Sequence, residues 1–153
     1  CFIANDNSNL QVVVSGLKKD INLLSDDLNN KKIKNLKLNV SAPFHCKYMK
    51  TASEKMTSYI NDLNMNDLEK PIISNVTANE TRSVKEIKSL LISQIERKVR
   101  WLESVEYMIN NGVKNFVEIG PGKVLSGLIK RINKNVNVNS INSEEDIKLL
   151  IND

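Results

Sequence analysis

His45, the one histidine of the chain, is the side chain best suited to acid–base chemistry. A neutral imidazole takes a proton from a hydroxyl near pH 7 and returns it later, so a histidine on a loop is a candidate general base. A structural or surface role fits the same spacing, since spacing alone shows no nucleophile beside it. Cys46 is adjacent, but neighbouring side chains on an extended segment point apart, which argues against a Cys-His pair.

A histidine base commonly activates a serine nucleophile, and the usual motif for such a serine is Gly-x-Ser-x-Gly. No such pentapeptide occurs in these 153 residues. A serine activated by His45 is therefore expected elsewhere. The turn Gly120-Pro121-Gly122-Lys123 does not have the spacing of a phosphate-binding loop. Two interpretations stay open: a tight turn between a strand and a helix, or an anion site at the helix N-terminus.

The elements that position His45 are predicted from apolar periodicity. Alternating apolar residues predict a half-buried strand over 36–40, which leads through Pro43 to His45. Helical stripes begin after Leu17 and after His45. Further elements, in chain order, are strands over 11–14, 71–76, 116–119 and 136–138, and helices over 84–95, 101–109, 124–132 and from Glu144 onward, the last with Ser143 as its cap. This order predicts an α/β fold.

A basic ridge is predicted on the helix after the glycine-rich turn. Lys123, Lys130, Arg131 and Lys134 follow helical spacing on the side opposite the apolar stripe. The chain has 22 Lys+Arg against 18 Asp+Glu, a formal charge of +4, which favours an acidic partner. A solvated helix face is the alternative. No aromatic residues are interleaved, so nucleic acid is not expected.

Composition excludes several other classes of protein. Two cysteines are too few for a disulfide framework, and one histidine with two distant cysteines does not match zinc-ligand spacing. The apolar runs fall far short of the ~20 residues that span a bilayer. We therefore expect no metal, no bound cofactor and no membrane, and a reducing cytoplasm. The start at Cys1, without methionine, suggests a piece cut from a longer protein.

Several segments match one enzyme family in order and spacing. They are residues 7–8, 11–13, 40–46, 49, 73–76, 94, 99–101, 104–108, 112–113 and 117–128. Together they resemble the C-terminal half of the bacterial-type malonyl-CoA:acyl carrier protein transacylases of fatty-acid synthesis. The resemblance implies a ping-pong reaction in which an active serine takes malonyl from malonyl-CoA and yields it to the phosphopantetheine thiol of acyl carrier protein.

The resemblance also implies roles for individual residues. His45 matches the catalytic base, and Gln94 matches the residue whose main-chain carbonyl orients that base. Asn7, Gln11 and Asn75 would lie around the substrate cleft. The implied carrier-protein contacts are Lys123, Lys130 and Arg131, opposite an acidic partner surface.

The family fold sets a small ferredoxin-like subdomain into a larger hydrolase-like α/β subdomain. Residues 1–40 would be the later part of the small subdomain, and residues 41–153 the C-terminal part of the large one. The serine elbow, the oxyanion-hole glutamine and the arginine that binds the malonyl carboxylate belong to the family's N-terminal half. That missing half is therefore an expected partner, and this chain alone would lack the nucleophile.

Two other functions are compatible with these residues. A related acyl hydrolase, or a transacylase of different acyl preference, would use the same base. Alternatively, a non-catalytic remnant would only bind carrier protein through its basic ridge.

Overall fold

The computed structural model describes residues 1–152, with side chains described as far as residue 150. The chain forms two compact units, Cys1–Trp101 and a second that begins at Leu102. This division differs in position from the predicted subdomain boundary after residue 40. The subdomain boundary stays a prediction. The helices and strands are β1 Phe2–Ser8, β2 Gln11–Ser15, α1 Lys18–Asn30, α2 Lys50–Asp62, β3 Ile72–Ile73, β4 Glu80–Thr81, α3 Val84–Ser93, α4 Trp101–Asn110, β5 Asn115–Ile119, α5 Val124–Ile132, β6 Asn137–Ile141 and α6 Glu144–Asn152.

The first unit begins with an antiparallel hairpin of β1 and β2. The register of this hairpin shifts at Ala4 and again at Asn7, which gives β1 two bulges. The backbone of Val99 extends the pairing, because its N–H donates to the Ala4 carbonyl at 2.8 Å and its carbonyl accepts from the Asp6 N–H at 2.9 Å. Lys98 and Asp6 form an ion pair at 3.3 Å beside this contact. The segment that follows α3 is thereby fastened to β1.

Helices α2 and α3 supply most of the packing in the rest of this unit. A 3-10 turn, Lys47–Met49, leads into α2, as the apolar stripe after His45 predicts. Ile60 of α2 and Ile87 of α3 are buried, and Cys46 is buried just before α2. Helix α1 begins at Lys18, directly after Leu17 as predicted, but none of its residues is buried.

The second unit contains a β-α-β arrangement in which β5 and β6 pair in parallel from Asn115↔Asn137 to Ile119↔Ile141. Parallel strands need a crossover, which α5 provides. The apolar stripe of residues 124–132 predicts that Val124, Leu125, Leu128 and Ile129 are all buried. Leu128 and Ile129 are, whereas Val124 and Leu125 are exposed. The α/β class predicted from the order of the elements is confirmed, and so is the strand near residues 136–138.

The predicted strand over residues 36–40 is wrong. Leu36, Leu38 and Val40 lie in extended backbone outside any strand and are 84%, 56% and 60% exposed. Alternation marks a face suited to a sheet, but a strand also needs a neighbour for its N–H and C=O groups. Among the described residues no strand pairs with this segment.

The predicted strand over 71–76 is shorter than expected. Only β3, Ile72–Ile73, pairs with another strand, and its partner is β4. The rest of the segment enters the turn between them. None of the helices among the described residues is long and apolar enough to cross a membrane.

Candidate active site

His45 lies in a tight turn between the extended segment and the 3-10 turn before α2. Just before His45, the Phe44 N–H donates to the Ala42 carbonyl at 3.0 Å, which closes a three-residue turn around Pro43. His45 itself has a φ of 60°, in the left-handed region that residues other than glycine rarely adopt. Such strained residues cluster at functional sites, where surrounding contacts hold them.

The neighbouring thiol does not form a pair with this histidine. Cys46 is 2% exposed, and its Sγ donates to the Pro43 carbonyl at 3.1 Å. This contact fixes the end of the turn from inside the unit. Cys46 therefore has a structural contact, as expected for a buried cysteine.

The imidazole of His45 meets the main chain of Gln94. Its Nδ1 lies 2.8 Å from the Gln94 carbonyl oxygen. A carbonyl oxygen only accepts hydrogen bonds, so Nδ1 carries the proton and, in the neutral ring, Nε2 holds the free lone pair. The contact implied by the resemblance is therefore present, and it leaves Nε2 available to accept a proton.

Helix α3 explains why this carbonyl is available. Gln94 is the C-cap residue of α3, and its own N–H donates to the Leu90 carbonyl at 2.9 Å. The last carbonyls of a helix have no partner within the helix, so they accept from other groups. The end of α3 thus presents a fixed acceptor to His45 without placing a carboxylate beside it.

Asn75 joins this site through the side chain of Gln94. The Asn75 Nδ2 donates to Gln94 Oε1 at 3.4 Å, at the long end of the hydrogen-bond range. The main-chain carbonyl of Asn75 accepts from the Arg100 N–H at 3.0 Å. His45, Gln94 and Asn75, which are far apart in sequence, are therefore brought together.

Asn7 and Gln11 are placed in the β1–β2 hairpin. Asn7 is the bulged residue that has no partner in the register of the two strands, and Gln11 opposes Ser8. Neither residue lines the cavity that contains His45. Their roles in the substrate cleft stay predictions.

That cavity is an open cleft of about 720 Å³ in the first unit. Lys47, Arg97 and Lys98 give it a basic lining, and Ser93 and Glu96 add further polar groups. The Lys47 ammonium lies 5.3 Å from the ring centre of Phe2, within the range of a cation–π contact. Among the described residues no three His, Cys, Asp or Glu side chains cluster in a way that could hold a metal ion.

The predicted basic ridge lies in the second unit and is only partly helical. Lys130 and Arg131 occupy the last turn of α5, where cations interact favourably with the helix dipole. The Lys130 ammonium donates to the Val136 carbonyl. Lys123 is the N-cap residue, and Lys134 lies beyond the last helical residue, Ile132, so it is not part of a helical ridge.

Glu118 decides between the two interpretations of the glycine-rich turn. Its carboxylate accepts the N–H groups of Leu125 and Ser126 at 3.0 and 2.8 Å, and the Ser126 hydroxyl at 2.6 Å. The hydrogen bonds from Ser126 hold the pKa of Glu118 below its ordinary value. The protein's own carboxylate thus occupies the N-terminus of α5, which favours the interpretation as a tight turn over that as an anion site.

The sequence interpretation did not identify the role of Glu118 or of Arg100. A glutamate one residue before the end of a strand, and eight residues before a serine in the next helix, is a signal that could have identified the role of Glu118. Arg100 lies in the matching segment 99–101, but its contacts with the Asn75 turn join residues more than twenty positions apart, which no local pattern indicates.

Comparison with known proteins finds relatives among curated proteins and among solved structures. No family model matches the sequence. The curated malonyl CoA-acyl carrier protein transacylase of Staphylococcus aureus (strain COL) is 43% identical over 148 residues, which cover 95% of this chain and 47% of that protein. The crystal structure of the acyl-carrier-protein-S-malonyltransferase from Bartonella henselae has a TM-score of 0.93 at 36% identity, over 99% of this chain and 48% of that one.

A third relative was solved with a partner. It is a malonyl-transacylase in complex with a type II PKS acyl-carrier protein, with a TM-score of 0.91 at 33% identity, covering 99% of this chain and 50% of that chain. In sequence and fold, the chain is thus similar to α/β acyltransferases. More narrowly, it is similar to the C-terminal half of malonyl CoA-acyl carrier protein transacylases, and it spans about half the length of the curated relatives it matches.

Proposed function

We propose that the protein containing this chain transfers a malonyl group from malonyl-CoA to the phosphopantetheine thiol of acyl carrier protein, with His45 as the general base. The contact between His45 Nδ1 and the Gln94 carbonyl at 2.8 Å carries this proposal, because it fixes the tautomer in which Nε2 accepts a proton. The relatives named above support the choice of acyl group and acceptor.

In the first half of the proposed reaction, Nε2 takes the proton of a serine hydroxyl as the serine oxygen attacks the thioester carbonyl of malonyl-CoA. The carbon–sulfur bond then breaks, and the departing CoA sulfur takes the proton from Nε2. An acyl-serine ester remains. The serine belongs to the N-terminal half that this chain does not include, and the resemblance to only half of each relative supports this assignment.

The second half of the reaction repeats these steps with a different thiol. Nε2 takes the proton of the phosphopantetheine thiol, and the sulfur attacks the acyl-serine carbonyl. The carbon–oxygen bond breaks, and the serine oxygen recovers the proton from Nε2. Throughout, the Gln94 carbonyl holds Nδ1–H and stabilises the charged ring without a buried carboxylate.

Lys123, Lys130 and Arg131 are proposed to meet the carrier protein. Carrier proteins offer an acidic surface, and basic residues opposite it accelerate encounter and fix orientation. The relative solved in complex with its acyl-carrier protein supports a carrier partner for this chain as well.

An intact-mass measurement on the complete natural protein tests this function. The protein is incubated with malonyl-CoA, and acyl carrier protein is then added. We expect a covalent malonyl adduct that moves to the carrier thiol, and a rate of adduct formation and transfer reduced by about 10² to 10⁴ in His45→Ala. Lys55→Ala, on the exposed face of α2, is the matched control and should leave both steps unchanged.

The alternatives correspond to different outcomes. An adduct released to water in the presence of carrier protein would indicate an acyl hydrolase. An adduct formed only from another acyl-CoA would indicate a transacylase of different preference. A folded complete protein that binds carrier protein but forms no adduct would reduce the function to binding and overturn the proposal.

A further inference from the structure

We propose that Arg100 is a positioning residue for His45, acting through the turn of residues 74–79, Asn75 and Gln94. This inference rests on the proposed function only in its kinetic consequence. On this path, the hydrogen bond that reaches the imidazole is the one with the Gln94 carbonyl. The path therefore concerns orientation of the base and not the reacting atoms.

The turn between β3 and β4 is held in a strained conformation. Its backbone closes through the Ala78 N–H to the Ser74 carbonyl at 2.8 Å and the Ser74 N–H to the Asn79 carbonyl at 3.0 Å. Ala78 has a φ of 57°, in the left-handed region that alanine disfavours. A turn with this strain keeps its shape only while other contacts determine it.

Arg100 supplies those contacts from outside the turn. Its guanidinium donates to the Thr77 carbonyl at 3.1 Å and to the Val76 carbonyl at 3.4 Å. Its main-chain N–H donates to the Asn75 carbonyl at 3.0 Å. One residue therefore fixes three successive carbonyls of the turn, two through the guanidinium nitrogen Nη1 and one through its main-chain N–H.

The turn of residues 74–79 places Asn75 against the end of α3. The Asn75 amide contacts Gln94 Oε1 at 3.4 Å, and the Gln94 carbonyl lies 2.8 Å from His45 Nδ1. Because Gln94 is the C-cap residue, its peptide group is less constrained than those inside the helix. A contact on its side chain therefore limits rotation of the carbonyl that orients the histidine.

The segment 94–100 anchors more than this turn. Val99 pairs with Ala4 and Asp6 of β1 on one side, while Arg100 holds the Asn75 turn on the other. Gln94 and Arg100 therefore belong to one short segment fixed at its end. Loss of the Arg100 guanidinium would release the turn without removing the backbone pairing of Val99.

The test is made on the complete protein with ¹⁵N-labelled histidine. The signals of His45 are assigned by their disappearance in His45→Gln, and long-range ¹H–¹⁵N spectra report which ring nitrogen carries the proton. We expect the Nδ1–H tautomer in the parent protein and a mixture of tautomers in Arg100→Ala and Asn75→Ala. Arg82→Ala is the matched control, because Arg82 also donates to a loop carbonyl, that of Glu69, away from this path.

Kinetics provide the second readout. We expect kcat for malonyl transfer to fall roughly tenfold in Arg100→Ala, with KM nearly unchanged, since small misplacement of a reacting group costs up to about a hundredfold. In a His45→Ala background, Arg100→Ala should cause no further loss, because both changes remove the same function. Arg100→Lys should fall between the parent and Arg100→Ala, and it decides the matter if the alanine variant does not fold.

The outcomes separate this inference from the proposed function. A folded Arg100→Ala or Arg100→Lys protein with an unchanged His45 tautomer overturns the positioning role. An equal loss of rate in the presence and absence of the His45 side chain does the same. If the complete parent protein transfers no malonyl, the proposed function is overturned. A tautomer of His45 that changes in Arg100→Ala then still supports the positioning role.

Discussion

His45 Nδ1 and the main-chain oxygen of Gln94 lie 2.8 Å apart, although 49 residues separate them in the chain. The acceptor is a main-chain carbonyl at the end of α3, so a carbonyl is present there whatever the residue type at position 94. The backbone of His45, which carries the imidazole, has a left-handed conformation. Orientation of the base is therefore a property of two backbone segments that meet.

Substitution of Gln94 should be mild compared with substitution of His45. In Gln94→Ala the carbonyl remains, while the contact with Asn75 is lost. We expect kcat for malonyl transfer by the complete protein to fall about tenfold, as in Asn75→Ala, and not by the 10² to 10⁴ expected for loss of a general base. Steady-state kinetics of both variants beside His45→Ala measure this. A Gln94→Ala loss as large as that of His45→Ala would contradict the main-chain role.

The left-handed φ of His45 should make stability sensitive to the residue type at this position. Asparagine tolerates this conformation, whereas a β-branched side chain does not. We expect His45→Val to lower the free energy of unfolding by about 1 to 2 kcal/mol more than His45→Asn. Denaturant unfolding of both variants checks this. Equal stabilities would show that the turn relaxes when the imidazole is absent.

The cap that Glu118 provides for α5 should depend on pH. Its pKa is lowered in the folded protein by hydrogen bonds from Ser126, so its stabilising effect is complete above the ordinary value of 4.5 and is lost as pH falls through the lowered value. We expect Glu118→Gln to lower Tm at neutral pH, with the difference shrinking in acid. Thermal unfolding across pH, with the exposed Glu106→Gln as control, measures this. A difference that is constant over the whole pH range would contradict it.

Helix α6 begins with a reciprocal cap between Ser143 and Asp146. The Asp146 N–H donates to the Ser143 hydroxyl at 3.2 Å, and the Asp146 carboxylate accepts the Asn142 and Ser143 N–H groups at 2.8 and 3.0 Å. Ser143→Ala should cost about 1 kcal/mol locally. Hydrogen exchange of the first-turn amides should therefore accelerate about fivefold, whereas Ser143→Asp, which keeps an acceptor, should change it little. Unchanged exchange in the alanine variant would contradict the cap.

The carrier-protein contact predicts a salt-sensitive affinity. In Lys130→Gln with Arg131→Gln, two charges are removed while an amide can still donate to the Val136 carbonyl. We expect Kd for acyl carrier protein to rise about tenfold at low salt, and its salt dependence to weaken. Lys148→Gln removes an exposed charge that pairs with Glu144 at 3.0 Å, and it serves as control. An unchanged Kd in the double variant would exclude these residues from the interface.

Local patterns in the sequence determined most of the elements and the key residue. The helical stripes predicted α1 to α5, and Ser143 was correctly predicted to cap α6, because helices satisfy their backbone hydrogen bonds within one segment. His45 was predicted as a base from its residue type, and Gln94 was predicted as its partner from resemblance to a family. These inferences need only neighbouring residues or a matching order of segments.

Only the tertiary structure decided which carbonyls and strands find partners. Residues 36–40 have the alternation of a strand but no neighbour among the described residues, while Val99, outside any predicted strand, pairs with β1. The same holds for Glu118 on the N-terminus of α5 and for Arg100 on the Asn75 turn. Such contacts join groups distant in sequence, and a one-dimensional pattern cannot specify them because hydrogen-bond partners are chosen by the folded backbone.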